Sequence, residues 1–218
     1  ISYSVSYAAR FIFCPRRSHE QALKLLGRYL LATRDKGLVL TPTRELNIEA
    51  FPDSDFAGLW GHEDSLDPTY VRSRTGFVIN VANCPVLWKS TLQTLTATST
   101  MEAEVVALAT CCRELMPIID LVDSVGKAVG LGSSRGLRMN IIIHEDNAGV
   151  LVLATTIPPQ YIPRSQAYAV KTHWFREQII SRGIDIVKVA TTEQLGDICT
   201  KCLPLATFQY LRKKLMGW

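Results

Sequence analysis

A carboxylate is costly to hold away from water, so acidic side chains at strand ends and on apolar helix faces mark candidate chemistry. Four such residues stand out: Asp53, Glu104, Asp146 and Asp197. Asp53 follows an expected strand at 47–51, with Asp55 two residues on. Asp146 closes the apolar run Ile141-Ile142-Ile143 at the carboxyl end of a strand, where α/β sheets usually place their sites. Asp197 lies near the start of a short helix, where stabilising the helix N-terminus is the ordinary alternative role. Hard oxygen ligands of this kind suit two Mg2+ ions, with Mn2+ as an alternative. Such a pair clamps the attacking water and the leaving oxygen of a phosphodiester.

Glu104 gives the sharpest local inference. Glu102 and Glu104 are two apart, so about 200° separates them on a helix. Glu102 continues into Val106, Ala109, Arg113 and Asp120, a mixed face, whereas Glu104 continues into Ala107, Leu108, Cys111, Leu115 and Ile118. A carboxylate heading an apolar stripe must be paired or bind metal. Glu104 is the functional candidate and Glu102 is solvated.

The elements that must position these groups follow from periodicity. An amphipathic helix is predicted over 18–33, with Ser18 and Gln21 as a capping box and Gly37 as its stop. A short strand at 38–40 and a linker at 42–46 come next. Strands are predicted at 47–51, 75–81 and 85–89, the first two separated by a polar loop at 58–74 that carries Glu63, Asp64 and Asp67. A long helix over 99–125, a loop over 126–138, a strand over 139–145 and a helix over 147–154 follow. A proline-rich loop covers 157–164. The chain ends with a helix at 170–182, a strand at 184–189, a short helix at 193–201 and a helix at 206–216. This order predicts an α/β protein with antiparallel hairpins leading into a parallel crossover.

Composition narrows the class. The chain has 218 residues, is 47% hydrophobic, and contains no apolar run long enough to cross a membrane. The start, Ile1-Ser2-Tyr3-Ser4, has neither a charged leader nor Met, which predicts a fragment without a signal peptide. Six cysteines lack framework spacing and read as reduced intracellular thiols, and the lone Cys199-x-x-Cys202 pair reads as structural. Net charge is +4, with eight Lys/Arg against three Asp/Glu in residues 1–46. A basic lobe beside a carboxylate-bearing one suits a protein that tracks a phosphate backbone, although a solvated helix face explains the charge equally well.

Several motifs in one order carry a resemblance: residues 53–60 (DSDFAGLW), 72–80 (RSRTGFVIN), 85–90 (PVLWKS), 98–108 (TSTMEAEVVAL), 145–149 (EDNAG), 171–177 (KTHWFRE) and 193–204 (EQLGDICTKCLP). Together they resemble the ribonuclease H domain of copia-type retrotransposon polyproteins over roughly residues 47–210. Residues 1–46 resemble the segment that ends the reverse transcriptase upstream. The resemblance implies a ribonuclease H-like mixed five-stranded sheet flanked by helices, with a short N-terminal helical appendage. It places the metal-binding carboxylates on Asp53, Glu104, Asp146 and Asp197. It further implies cleavage of the RNA strand of RNA–DNA hybrids during reverse transcription, as part of a larger polyprotein in a cytoplasmic virus-like particle.

Val105, Ala167 and Cys202 depart from the family pattern, and residues 190–192 lack the histidine some ribonucleases H carry before the last Asp. Candidate substrate contacts are Lys89, Ser90, Asn147, Arg72, Arg74 and His173; the first five read otherwise as ordinary polar residues facing solvent, and His173 as a packing residue of its helix. His144 reads as a satisfied core or edge residue, and His62 stays undecided. Two rivals remain. A strand-transfer domain shares the topology but places its Glu late in the chain. A catalytically silent nucleic-acid-binding or tethering module needs no carboxylates at all.

Overall fold

Alternating apolar residues draw residues 47 onward into a strand whose odd and even positions serve different cores. A computed structural model describes residues 1–62, 67–131, 139–156 and 168–218. Strand β1 (Asn47–Asp55) pairs antiparallel with β2 (Arg74–Val81), which pairs antiparallel with β3 (Cys84–Leu92). On its other side β1 runs parallel to β4 (Asn140–Glu145), and β4 parallel to β5 (Asp185–Lys188). The resulting order, β3-β2-β1-β4-β5, is the expected mixed five-stranded sheet.

Helix α3 (Thr100–Ala128) covers one face. Ile48, Ala50, Phe77, Ile79 and Ile143 meet Val105, Leu108, Cys112 and Leu115 there in the main core. The shorter helices α4 (Ala148–Thr155) and α5 (Ala169–Arg182) complete that layer. On the opposite face Phe51 and Val78 pack with Leu195, Cys199 and Leu211, residues in and around α6 (Asp197–Thr200) and α7 (Leu205–Met216). The N-terminal helices α1 (Ser2–Ala9) and α2 (Arg17–Ala32) form the appendage, with α1 against β3 and α6.

Several local expectations need correction. β1 continues four residues past the expected end, so Asp53 and Asp55 lie inside the strand rather than after it. Pro52 argues against a central strand. However, β1–β4 pairing ends at Ala50, so no ladder bond to β4 is forfeited at Pro52. Residues 38–40 form no strand. Instead the Val39 N–H donates to the Met216 carbonyl at the end of α7. Helix α2 starts before Ser18, and His19 Nδ1 accepts the Arg16 N–H at 3.0 Å in place of a Ser18–Gln21 box. The helix expected at 193–201 divides into a 3-10 turn, Thr191–Glu193, and α6. Helix α1 had no counterpart in the sequence reading. The expected loop at 157–164, Glu63, Asp64, residues 132–138 and Ala167 lie outside the described residues.

Candidate functional site

The parallel pairing of β1 and β4 sets the site's frame. Ala50 pairs with Ile143, and Asp53 and Asp146 each stand three residues further toward the carboxyl ends. At about 3.3 Å per residue on strands about 4.8 Å apart, equal offsets bring the two backbones to one level. The period of two separates the side chains. Glu145 shares parity with Ile143 and faces the α3 layer, whereas Asp53 shares parity with Phe51 and faces α6. Glu104 enters from the first turns of α3, and Asp197 begins α6. The candidate carboxylates therefore straddle the carboxyl edge of the sheet.

Two glycines let α6 come close. A Cβ on Gly196 would lie 2.6 Å from the Phe51 carbonyl oxygen and 2.8 Å from Asp53 Cβ. A Cβ on Gly76, which pairs with Asp53 across β2, would lie 2.6 Å from Thr200 Cγ2 and 2.7 Å from Cys199 Cβ. Gln194, fully buried, ties the same region together. Its Nε2 donates to the carbonyls of Pro52 (2.9 Å) and His144 (3.2 Å), and its Oε1 accepts the Gly196 N–H.

Burial dominates the electrostatics. Asp53, Glu104, Glu145 and Asp197 are 2%, 6%, 1% and 4% exposed. Desolvation, reinforced by Asp53 and the acidic pair Glu145 and Asp146, pushes the Glu104 carboxyl up to about 9. Burial raises Glu145 to about 8, against the Asn147 N–H that it accepts. Asp53 rises to about 7 by burial and by Asp197 and Asp146, although Lys201 and the Thr200 hydroxyl stabilise its anion. Asp197 is raised by burial, with Lys201 and a hydrogen bond shared with Asp53 acting the other way. Lys201 Nζ stands 2.8 Å from Asp197 Oδ1 and 3.6 Å from Asp53 Oδ2. Burial disfavours its charge, yet the two carboxylates outweigh this and hold the ammonium above its ordinary range.

The donor set fits hard divalent cations. It is all oxygen, it is mutually repulsive, and Glu104 Oε2 and Glu145 Oε2 are buried without a hydrogen-bond partner. In the arrangement described, no three His, Cys, Asp or Glu side chains among the described residues are gathered closely enough to ligate one ion. Lys201 and Thr200 hold Asp53 and Asp197 instead.

Glu102 turns back to cap its own helix, its Oε2 accepting from the Thr98 N–H and hydroxyl. The candidate substrate contacts are mostly engaged. Arg74 is buried, donating to the hydroxyls of Ser6 (2.7 Å) and Ser90 (3.2 Å), with its guanidinium over Tyr3. Lys89 pairs with Glu114 at 2.8 Å, and the Asn147 side chain caps α4 through Gly149 and Val150. Arg72 is half-buried, and His173 and His62 are exposed. His144 stacks on Phe51 and meets Glu49 Oε1 at 2.9 Å, as a satisfied strand residue should. The sequence reading missed Glu145, Gln194, Thr200 and Lys201. Glu145 was accessible to it, because strand parity places residue 145 beneath Ile143.

The sheet order, the strand directions and carboxylates at the carboxyl ends of the two central parallel strands define a ribonuclease H-like α/β domain. No family model matches the chain. It is 31% identical over 215 residues, 99% of its length, to the retrovirus-related Pol polyprotein from transposon RE1 of Arabidopsis thaliana. Similarity to the Pol polyprotein from transposon TNT 1-94 of Nicotiana tabacum is 25% over 217 residues. The chain spans only 13% and 15% of those two proteins. It also resembles the crystal structure of LC11-RNase H1 in complex with RNA/DNA hybrid, with TM-score 0.47 and 11% identity over 70% of this chain and 93% of that one. The chain is thus similar along nearly its whole length to a short segment of these transposon Pol polyproteins. Among its described residues no helix is long and apolar enough to cross a membrane.

Proposed function

We propose that the chain is the ribonuclease H domain of a retrotransposon Pol polyprotein and cuts the RNA strand of RNA–DNA hybrids during reverse transcription. The observation that carries this reading is the burial of four carboxyl groups, Asp53, Glu104, Glu145 and Asp197, from β1, α3, β4 and α6, at one edge of the sheet beside the half-buried Asp146, with Glu104 and Glu145 each keeping an oxygen that lacks any partner. Asp53, Glu104, Asp146 and Asp197 would hold two Mg2+ ions, and Mn2+ would serve in their place. When bound, the ions supply activation of the attacking water and charge stabilisation of the leaving 3′ oxygen. The chain's own residues fix the geometry. Gln194 and Gly196 hold α6 against β1, Thr200 orients the Asp53 carboxylate, and the surrounding apolar layers keep the acids out of bulk water. Contacts to 2′-hydroxyls would distinguish RNA from DNA. Residues 1–46 would be the trailing edge of the reverse transcriptase, residues 47–218 the nuclease domain, and a cytoplasmic virus-like particle its setting.

One observation favours the tethering alternative: Lys201 already neutralises part of the acidic cluster. Incubating a labelled hybrid with Mg2+ and either the wild-type chain or Asp146→Asn separates the readings. The nuclease reading expects binding by both and RNA cleavage by the wild type alone. Equal binding with no cleavage by either establishes a tether.

A further inference from the structure

The carboxylate cluster has a cation of its own. Lys201 follows α6 directly, in extended conformation (φ −141°, ψ 161°), so its stem leaves the short helix and crosses toward the strand ends. Its ammonium lies between the carboxylates of Asp197 at 2.8 Å and Asp53 at 3.6 Å, both almost wholly buried. Lys201 itself keeps 35% of its side chain in solvent. That asymmetry matters. The acids are fixed by a buried strand and by the Gly196 close approach, while the lysine ends in four flexible methylenes with an open route outward.

Resting on the reading of Asp53 and Asp197 as metal ligands, we propose that Lys201 is a built-in counter-ion: it holds the metal-free site together and is expelled by the divalent cation. A single ammonium satisfies only part of a cluster of this size. A divalent ion brings twice the charge and can accept oxygens from several carboxylates at once, which an ammonium between two of them cannot. The two cations compete for Asp53 and Asp197, so the lysine lowers metal affinity and keeps the empty site from splaying apart.

The test is a Mn2+ titration of the full chain after chelation, following the paramagnetic resonance signal of free Mn2+. Lys201→Met keeps the stem and removes the charge, and it should bind Mn2+ about tenfold more tightly than wild type. Lys201→Arg should stay close to wild type. Equal or weaker binding by Lys201→Met overturns the proposal. If that variant does not fold, the wild-type lysine ammonium resonances decide. The Lys201 signal, protected by its ion pairs, should be lost to rapid exchange when Mg2+ saturates the site, and a signal unchanged at saturation also overturns the proposal. Asp53→Asn separates this failure from failure of the underlying reading. Loss of Mn2+ binding in Asp53→Asn with no gain in Lys201→Met sinks the counter-ion alone. Unchanged binding in Asp53→Asn sinks the metal site and the counter-ion with it.

Discussion

Glu104 carries a carboxyl group into apolar surroundings, and the consequence is measurable without any substrate. Its folded pKa, about 9, lies far above the ordinary value of 4.5, so the folded state holds the proton more tightly than the unfolded chain does. No penalty exists below about pH 4. Stability is lost as pH rises from there toward about 9, and Glu145 and Asp53 act in the same direction with values of about 8 and 7. In chelator, the melting temperature should therefore fall steadily from pH 5 to pH 9, and saturating Mg2+ should flatten the fall. A melting temperature that rises over that range in chelator contradicts the assignment. Glu104→Gln should raise metal-free stability at pH 8 by on the order of 2 kcal/mol while removing hybrid cleavage, measured by denaturant unfolding beside an activity assay. Glu104 was legible in the sequence because helical period and side-chain cost point to the same residue. Lys201 was legible only in part: its i,i+4 spacing from Asp197 marks a helix pair, but nothing in linear spacing brings it to Asp53.

The elements position these groups through contacts rather than through length. Helix α6 has only four residues and no stability of its own, so its placement depends on Gly196 and Gln194. Gly196→Ala would set a methyl against the Phe51 carbonyl and should cost about 1–3 kcal/mol, with loss of cleavage exceeding the loss of folded protein. Gln194→Leu would leave the Pro52 and His144 carbonyls without their donor, a cost of about 1–3 kcal/mol by urea unfolding. Long periodic elements such as α3 and the strand at Ile141 to Ile143 were legible from pattern. The extension of β1 was hidden by Pro52, whose position is tolerated only because β4 stops pairing at Ala50. The apolar run at 38–40 reads locally as a strand, yet its backbone bond goes to the end of α7. That partner lies far along the chain, beyond the reach of a local pattern.

At the scale of the whole molecule, the N-terminal segment is bound to the sheet domain through polar contacts, part-buried at Arg74 and exposed at Trp218. Arg74 joins Ser6 of α1 to Ser90 of β3, and Trp218 Nε1 donates to the Gly37 carbonyl at 2.8 Å. Arg74→Met should lower unfolding stability by about 1–3 kcal/mol and speed proteolysis within residues 1–46, with affinity for a hybrid unchanged. A selective loss of hybrid affinity would instead make Arg74 a substrate contact. The mixed sheet was legible because hairpin strands, a long helix and a buried apolar strand occur in an order that few topologies accommodate. Helix α1 escaped because its eight residues bury no side chain and carry no side-chain cap.

Soaking crystals of the chain with Mn2+ and locating the ions by their anomalous signal tests the central claim most directly. Ions should lie within ligating distance of Asp53, Glu104 and Asp146, with Lys201 withdrawn from Asp197. Saturating Mn2+ that leaves these carboxylates bare, with the Lys201–Asp197 pair intact, would contradict it.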